Sequence, residues 1–398
     1  MKQTGIYLAS KPRYEVLDGL RGVAAMMVIL FHCFEGYYSV LGRQEFYYGS
    51  LAVDFFFMLS GFVMGYAYDD RWEKMSVRGF FKRRLVRLHP MVIAGTLIGA
   101  AWFFFGAGEK FHVIAEVEAW KFFLCLVMGL LMIPCSVGLD IRGWAELNSF
   151  NGPNWSLTFE YIGNILYAFI LRHLSTAALA VLCVVSLFFT FDLTLGWDVF
   201  HLLPNGPQYS ISGGWTLTPD HVYIGMTRLM FPLLCGLVMS RLLGKRITRD
   251  NPSGSPLGMR GGFWVASLVL VVLLSMPIVG GKSGIADGIY QLSVIVLAFP
   301  LVLLIGAGSQ TSDAKSTAWC NFLGQISYPL YITHYPIMYM QMAWVERNAH
   351  APIWMHVCLN IGVIAMSVFT AWALLKLYDE PVREWLKEKF LKGNSTQS

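Results

Sequence analysis

Charged residues are scarce in this sequence, and so are the motifs of common soluble enzymes. Of its 398 residues only 14% are charged, against about 25% in soluble proteins, and 56% are hydrophobic. The mean hydropathy is +0.52. H-E-x-x-H, G-x-S-x-G, P-loop and dinucleotide-binding motifs are missing, which removes the usual sequence markers of metalloproteases, serine hydrolases and nucleotide-binding enzymes. The composition predicts an all-α polytopic membrane protein.

Charge and cysteine patterns argue against further classes of protein. The net charge is only +5 and no basic face extends beyond short loops, so we expect no nucleic-acid partner. The seven cysteines show no C-x-x-C pair and no regular spacing, so we expect buried thiols, without a disulfide framework or a metal site. The N-terminus lacks the pattern of a cleavable signal peptide, and we expect the first apolar segment to stay in the membrane.

Long apolar segments dominate the chain, and ten of them approach the ~20 residues that a bilayer-spanning helix needs. They lie at about 20–40, 48–68, 88–107, 155–172, 176–192, 221–243, 262–280, 287–307, 321–345 and 353–376. The further apolar run at 120–137 is ambiguous by hydropathy alone. We therefore predict about ten transmembrane helices and decide the eleventh run from the charges that surround it.

The basic residues lie in a few short stretches that fix the predicted topology. Lysine and arginine cluster at 69–87, 241–260 and 383–392, with Lys2, Lys11 and Arg13 near the N-terminus. The positive-inside rule assigns all four stretches to the cytoplasm, which works only if 120–137 does not cross. We predict an outer-side re-entrant or interfacial helix there. The expected organisation is a transmembrane domain at 1–379 and a cytoplasmic tail at 380–398, with both termini cytoplasmic.

The longest predicted outer segment is 193–220, which is rich in glycine, proline and aromatic residues and has no lysine or arginine. A connection of this length is more often a lid or a binding loop than a passive linker. We therefore expect this segment to cover a site on the outer side of the membrane.

The first predicted span carries ionisable residues along one face. Arg21 and His32 are eleven residues apart, which at ~100° per residue places them on nearly the same face and ~16 Å apart along the axis. Asp18 lies one turn before Arg21, and Glu35 one turn after His32. Because ionisable groups in a bilayer are costly, we expect the stripe to face a cavity, with His32 near the bilayer centre as a general base or nucleophile. The alternative is a hydrogen-bonded core histidine.

Three other spans carry polar residues that could act together with this stripe. Arg84 and Arg87 begin the third span one turn apart and could clamp a phosphate, although basic residues also flank spans for topological reasons alone. Glu160 lies ~9 Å down the fourth span from its start, where we expect a functional or ion-paired role. In the second span, Gly61 and Gly65 predict close helix packing, and Asp54 is interpreted as an interfacial residue.

The ninth predicted span contains two prolines, Pro329 and Pro336, which should interrupt its helix. Three tyrosines and a histidine surround the break, and Tyr331 and His334 are the members that we assign to substrate binding. Broken helices in membranes usually line cavities, because their freed carbonyl groups need partners. A kinked structural helix whose tyrosines reach backbone groups is the equal alternative.

These motifs together resemble the acyltransferase-3 family of bacterial membrane O-acyltransferases. The resemblance runs from Leu17–Gly22 with His32, through the Phe-Phe-Phe-Met-Leu-Ser-Gly-Phe stretch of the second span, to the Arg84–Pro90 segment. It continues through Asn154–Glu160 and Ile326–His334, and it ends at Tyr378–Arg383. Each motif is loose, but their order and spacing make the match specific.

The resemblance implies about ten spans and the transfer of an acyl group, commonly acetyl, from cytoplasmic acyl-coenzyme A to a carbohydrate or glycolipid hydroxyl outside the bacterial inner membrane. It implies a catalytic role for Arg21 and His32 and a coenzyme A-binding role for Arg84 and Arg87. To these we add the site residues Glu35 and Glu160 as catalytic, and Asp18, Trp155, Tyr331 and His334 as substrate-binding. No metal is expected. Some family members carry a hydrolase-like outer domain, so a partner protein that handles the acceptor is a further expectation.

Two other functions remain open at the level of the sequence. A proton-coupled secondary transporter would also bury His32, Glu35, Glu160 and His334, although the inverted repeat found in many transporters is missing. A non-catalytic export component for a polysaccharide or lipid precursor is the other alternative, and the intact Arg21 and His32 argue mildly against it.

Overall fold

A computed structural model describes residues 11, 13–38, 46–108, 110–250, 259–281, 284–311 and 313–391, with only the backbone described at 244–250. The predictions that concern Lys2, Lys392, the end of the first span at 39–40, the loop at 251–258 and the tail at 392–398 fall outside these residues. The boundary between a membrane domain and a tail at 379 also stays a prediction, because the last long helix runs on past it through a π-helical turn at Leu375–Asp379.

The described part of the chain is mostly helical. Its helices are α1 (Glu15–Glu35), α2 (Ala52–Tyr68), α3 (Val77–Trp102), α4 (Ala119–Leu130), α5 (Asn154–Phe169), α6 (Thr176–Thr194), α7 (Pro219–Asp250), α8 (Gly262–Ser275), α9 (Ile285–Ser293), α10 (Phe299–Ala307), α11 (Ala314–Thr333), α12 (Tyr335–Arg347), α13 (Ile353–Leu374) and α14 (Glu380–Phe390). A π-helical turn at Val294–Ala298 joins α9 to α10. Within the described residues, the strands are β1 (Met259–Arg260) and β2 (Ser309–Gln310), which pair in parallel.

Within the described residues, seven helical segments are long and apolar enough to cross a membrane. They are Glu15–Glu35, Tyr47–Tyr68, Val77–Gly106, Thr176–Thr194, Pro219–Leu243, Ile285–Ala307 and Ile353–Phe390. Three other predicted spans correspond to α5 with 16 residues, α8 with 14 residues, and the interrupted pair α11 and α12. The fold class is therefore an α-helical, multi-pass membrane protein, and the count of ten stays a prediction.

Helix α4 occupies the ambiguous apolar run. With 12 residues it is ~18 Å long, which is shorter than the ~30 Å hydrocarbon layer. It packs on α3 and is followed by a turn in which the Ile133 amide donates to the Met128 carbonyl. Its length agrees with the prediction that this segment does not cross.

Small residues allow α1 and α11 to pack in close, parallel contact. A Cβ atom on Gly22 would lie 2.5 Å from the Leu323 carbonyl oxygen, so only glycine fits there without movement of the backbone. The Arg21 guanidinium, in the second turn of α1, donates to the hydroxyl of Ser327 in the second half of α11 at 2.8 Å. Near their ends, the rings of His32 and His334 lie 5.3 Å apart. The α1 stripe therefore faces α11 along its whole length.

Helices α2 and α7 form a second close pair, as Gly61 and Gly65 predict. A Cβ on Gly61 would lie 2.0 Å from the Leu233 carbonyl oxygen. The prediction for Asp54 is wrong, because its side chain is fully buried and paired with Arg228 at 2.7 Å. A carboxylate this deep is stable only because the guanidinium compensates its charge.

The bundle has two chemically different ends. One end, here called the basic end, holds Arg21, Arg84, Arg87 and Arg241. The other, the loop end, carries the connections 131–153 and 195–218. An isolated bridge between Glu146 and Thr216 joins these two connections.

The predicted break between α11 and α12 is confirmed. Pro329 lies inside α11, α11 ends at Thr333, and Pro336 lies in the first turn of α12. The Tyr328 hydroxyl donates to the Leu88 carbonyl at 2.7 Å, as the structural alternative for this segment requires. Tyr331 instead contacts the Ser156 hydroxyl at 2.7 Å, which ties the break to the first turn of α5.

Candidate functional site

Arg21 anchors the basic end between α1 and α11. Its Nη2 donates to the Gly324 carbonyl at 2.9 Å and lies 3.3 Å from the Asp18 carboxylate. Its Nε donates to Ser327. The predicted pairing of Asp18 with Arg21 is therefore present, and α11 holds the guanidinium in a fixed orientation.

Arg84 is buried and forms an ion pair with Glu160. The Ser60 hydroxyl donates to the same carboxylate at 2.6 Å, so α2, α3 and α5 meet at this point. The Arg84 Nε is buried without a hydrogen-bond partner. One of the two outcomes predicted for Glu160, an ion pair, is thus observed, and the free donor on Arg84 leaves this cluster incompletely satisfied.

Arg87 lies one turn after Arg84 and is exposed. The charges of Arg84, Arg21 and Asp18 lie near enough to act on its guanidinium. Arg21, Arg84 and Arg87 therefore lie together at the basic end, where Asp18 pairs with Arg21, Glu160 pairs with Arg84, and Arg87 is the exposed member. This cluster favours an anionic ligand.

His32 lies in the last turn of α1, beside the loop end. This corrects the expectation that it lies midway along the span. Its Nδ1 donates to the Glu35 carboxylate at 2.6 Å, and the Tyr335 hydroxyl also donates to Glu35 at 3.3 Å. With the proton on Nδ1, the Nε2 lone pair remains available as an acceptor, which is the arrangement that a general base needs.

His334 occupies the junction of α11 and α12 and is fully buried. Its Nδ1 donates to the Leu330 carbonyl at 3.1 Å, which leaves the lone pair on Nε2. That Nε2 finds no partner in the structure. His334 therefore presents an unused acceptor beside His32.

A cavity of about 610 Å³ opens at the loop end next to His32. This volume is within the ~300–1,000 Å³ that is usual for small-molecule sites. Of the predicted site residues, the cavity is lined by His32, Glu35, Trp155 and Tyr331. The other predicted site residues, which do not line it, are Asp18, Arg21, Arg84, Arg87, Glu160 and His334.

Sequence reasoning missed several residues of this cavity. They are Lys110, Trp144, Glu146, Trp215 and Arg228. Four of them lie in connections or turns, and none belongs to a spacing motif. The only sequence signal was the length of the 193–220 segment, whose expected role as a cover fits the position of Trp215 on the cavity wall.

The carboxyl of Glu146, in the connection 131–153 at the loop end, has a raised pKa. Its side chain is buried, which raises the pKa of its carboxyl to about 7 although Arg142 opposes the shift. A carboxyl that titrates near neutral pH in a cavity marks a candidate functional residue.

Metal chemistry has no evident centre in the part of the chain that the structure describes. Within those residues, histidine, cysteine, aspartate and glutamate side chains form no group of three that could hold a metal ion. The cavity instead offers an imidazole, two carboxylates and an ammonium group. These groups are suited to proton transfer and hydrogen bonding.

A family profile described as "Acyltransferase domain" matches residues 14–376. A Staphylococcus aureus (strain COL) protein named "Putative O-acetyltransferase" is 25% identical over 350 residues, which cover 85% of this chain and 53% of that protein. The chain thus spans about half the length of such relatives.

Two shorter similarities accompany this match. A Rhizobium radiobacter protein named "Protein 2 in picA locus" is 34% identical over 165 residues, covering 39% of this chain and 81% of that protein. "Acyltransferase MdmB" of Streptomyces mycarofaciens is 29% identical over 167 residues, or 37% of each chain. No solved structure matches this chain.

Proposed function

We propose that this chain, which belongs to the acyltransferase-3 family, is a membrane O-acyltransferase. It moves an acyl group, which we take to be acetyl, from cytoplasmic acyl-coenzyme A to a hydroxyl group of the acceptor. The acceptor is a carbohydrate or glycolipid on the opposite side of the bacterial inner membrane. One observation carries this proposal. A single helix, α1, joins a cluster of arginines at one end of the bundle to a histidine that lines a cavity at the other.

The basic end supports the assignment of the donor. Coenzyme A carries several phosphate charges, and Arg87 offers an accessible guanidinium with Arg84 and Arg21 beside it. The positive-inside rule assigns this end to the cytoplasm, which is where acyl-coenzyme A is found. The phosphates stay at the basic end while the thin pantetheine arm runs between the helices towards His32.

The loop end supports the assignment of the chemistry. The His32 Nε2 takes the proton of the acceptor hydroxyl, and the oxygen attacks the thioester carbonyl carbon. The carbon–sulfur bond breaks, and the leaving thiolate takes the proton back from the imidazolium. Glu35 holds the ring through Nδ1 and stabilises its charged form during the reaction.

A two-step route through His32 uses the same geometry. In that route Nε2 attacks the thioester itself, coenzyme A leaves as the thiol, and the acyl-imidazole then passes the group to the acceptor hydroxyl. Enzyme-bound acyl label in the absence of acceptor distinguishes this route from direct transfer.

The proposal is tested with purified protein and acetyl-coenzyme A labelled in the acetyl group. We expect release of free coenzyme A and transfer of label to carbohydrate from the envelope of a deletion strain. His32→Ala should reduce transfer by about 10²–10⁴-fold, the usual contribution of a general base. His201→Ala is the matched control, because that imidazole is 88% exposed on the 195–218 connection. Uptake of a solute without coenzyme A release would instead identify a transporter.

A further inference from the structure

The mechanism above leaves the cavity residues Lys110, Glu146 and Arg228 without a role, and Arg228 is already paired with Asp54. Glu146 lines the same cavity as His32 and Glu35. It belongs to the connection 131–153 and not to α1. Its position therefore calls for an explanation apart from proton transfer at His32.

The carboxylate of Glu146 is held in a defined position. The Tyr339 hydroxyl donates to its Oε2 at 2.6 Å, and the Gly152 amide donates to the oxygen of that tyrosine at 3.1 Å. A Cβ atom on Gly152 would lie 2.2 Å from Oε1. Only glycine at 152 leaves room for this carboxylate, and among the described residues no hydrogen-bond donor contacts its second oxygen, Oε1.

One face of α12 fixes Glu146 relative to the reacting histidine. Tyr339 holds Glu146, and Tyr335, four residues earlier, donates to Glu35, the partner of His32. Residues four apart on a helix are ~6 Å apart along its axis. The two carboxylates are thus held by tyrosines that lie about one helical turn apart on the same helix.

Aromatic side chains wall the cavity around Glu146. Trp144 comes from the same connection and Trp215 from the 195–218 connection. The Leu147 amide donates to the Trp215 carbonyl at 2.7 Å, next to the bridge between Glu146 and Thr216. Flat aromatic faces beside a few fixed polar groups are suited to a sugar ring, which has apolar faces and a polar edge.

We propose that Glu146 is an acceptor-binding residue that selects an acceptor ring with at least two hydroxyl groups. Its Oε1 accepts a hydrogen bond from one hydroxyl while His32 activates another. Glu146 takes part in no covalent step, and it should affect acceptor use without affecting the donor. This inference rests on the proposed function, because it assumes a hydroxyl-bearing acceptor at the loop end.

The test compares Glu146→Gln with Glu116→Gln, whose carboxylate is exposed in the preceding connection. The acceptor is unacylated carbohydrate extracted from the envelope of a deletion strain and supplied at increasing concentration. We expect E146Q to lower kcat/KM for this acceptor by about tenfold or more, through a raised KM, because a neutral amide replaces the charged acceptor. The KM for acetyl-coenzyme A should be unchanged, and E116Q should match the wild type.

Each outcome decides the inference. A wild-type acceptor KM in E146Q contradicts it, and so does an equal rise of the KM for acetyl-coenzyme A, which indicates a general structural effect. A folded E146Q, verified as a monodisperse peak in detergent, is required for both comparisons. If the wild type releases coenzyme A but labels no carbohydrate, the proposed acceptor class fails, and this inference fails with it.

Discussion

The ion pair between Asp54 and Arg228 should be one of the strongest side-chain couplings in the bundle. Both side chains are almost fully buried, and their nearest oxygen and nitrogen atoms are 2.7 Å apart. Arg228 also donates to the Ser50 carbonyl at 2.8 Å and to the Gly213 carbonyl at 3.3 Å. Removal of either partner leaves the other charge buried without compensation.

The expected magnitude follows from this burial. Breaking a buried pair by removal of one partner costs about 3–5 kcal/mol, because an uncompensated charge remains. We therefore expect about 3–5 kcal/mol of destabilisation for Asp54→Leu or Arg228→Met alone. The double variant should cost much less than the sum of the two, because it removes both charges together.

Unfolding of the four proteins in mixed micelles gives the coupling energy as a double-mutant cycle. The control cycle uses Glu384 and Lys387 on α14, whose side chains are 64% and 41% exposed and whose pair spans 2.8 Å. Exposed pairs contribute about 0–1 kcal/mol, so this cycle should show little coupling. Additive effects at Asp54 and Arg228, or equal coupling energies in the two cycles, would contradict a strong coupling between these two buried charges.

Three other predictions concern separate parts of the molecule. Arg87→Ala should raise the KM for acetyl-coenzyme A about tenfold or more, with a smaller change in kcat. Arg83→Ala, which alters the same basic stretch, should leave this KM unchanged. Steady-state kinetics with acetyl-coenzyme A measures both, and the reverse pattern would contradict the assignment of the donor phosphates to Arg87. Gly61→Ala should destabilise the fold by about 1–3 kcal/mol, because a Cβ atom there would lie 2.0 Å from a carbonyl oxygen of α7. A Cβ atom on Gly138 would meet nothing within 4 Å, so Gly138→Ala should be neutral in the same unfolding assay. Burial raises the pKa of Glu146 from 4.5 to about 7, so the folded state binds the proton more tightly and this contribution to stability is full below pH 4.5 and lost as the pH rises through 7. Relative to Glu146→Gln, the wild type should become less stable between about pH 5 and 8, and parallel stability profiles would contradict the assigned pKa shift.

Helical periodicity revealed the parts of the site that lie on one element. Arg21 and His32 are eleven residues apart, a spacing that places both on one face of α1. Gly61 and Gly65 are four residues apart, a spacing of small residues that indicates close packing against another helix. The prolines around His334 likewise act through their own local geometry. Features of this kind could be predicted, because a single segment of sequence determines them.

Contacts between distant segments could not be predicted in the same way. Asp54 was misinterpreted because its partner is 174 residues away and periodicity gives no information about which helices meet. The Arg84 and Glu160 pair also depends on the packing of three helices. Glu146 was missed because it lies in a connection, where neither burial nor a neighbouring tyrosine leaves a pattern in the sequence.

The most direct test of acyl transfer across the membrane follows acetyl label in vesicles that hold the protein in one orientation, with the basic end outside. Acetyl-coenzyme A is added outside and unacylated envelope carbohydrate is enclosed within. We expect labelled carbohydrate inside the vesicles and free coenzyme A outside, with label transfer reduced by about 10²–10⁴-fold in His32→Ala. Undiminished transfer by the His32 variant, or release of coenzyme A outside without label on the enclosed carbohydrate, would contradict transfer across the membrane by His32.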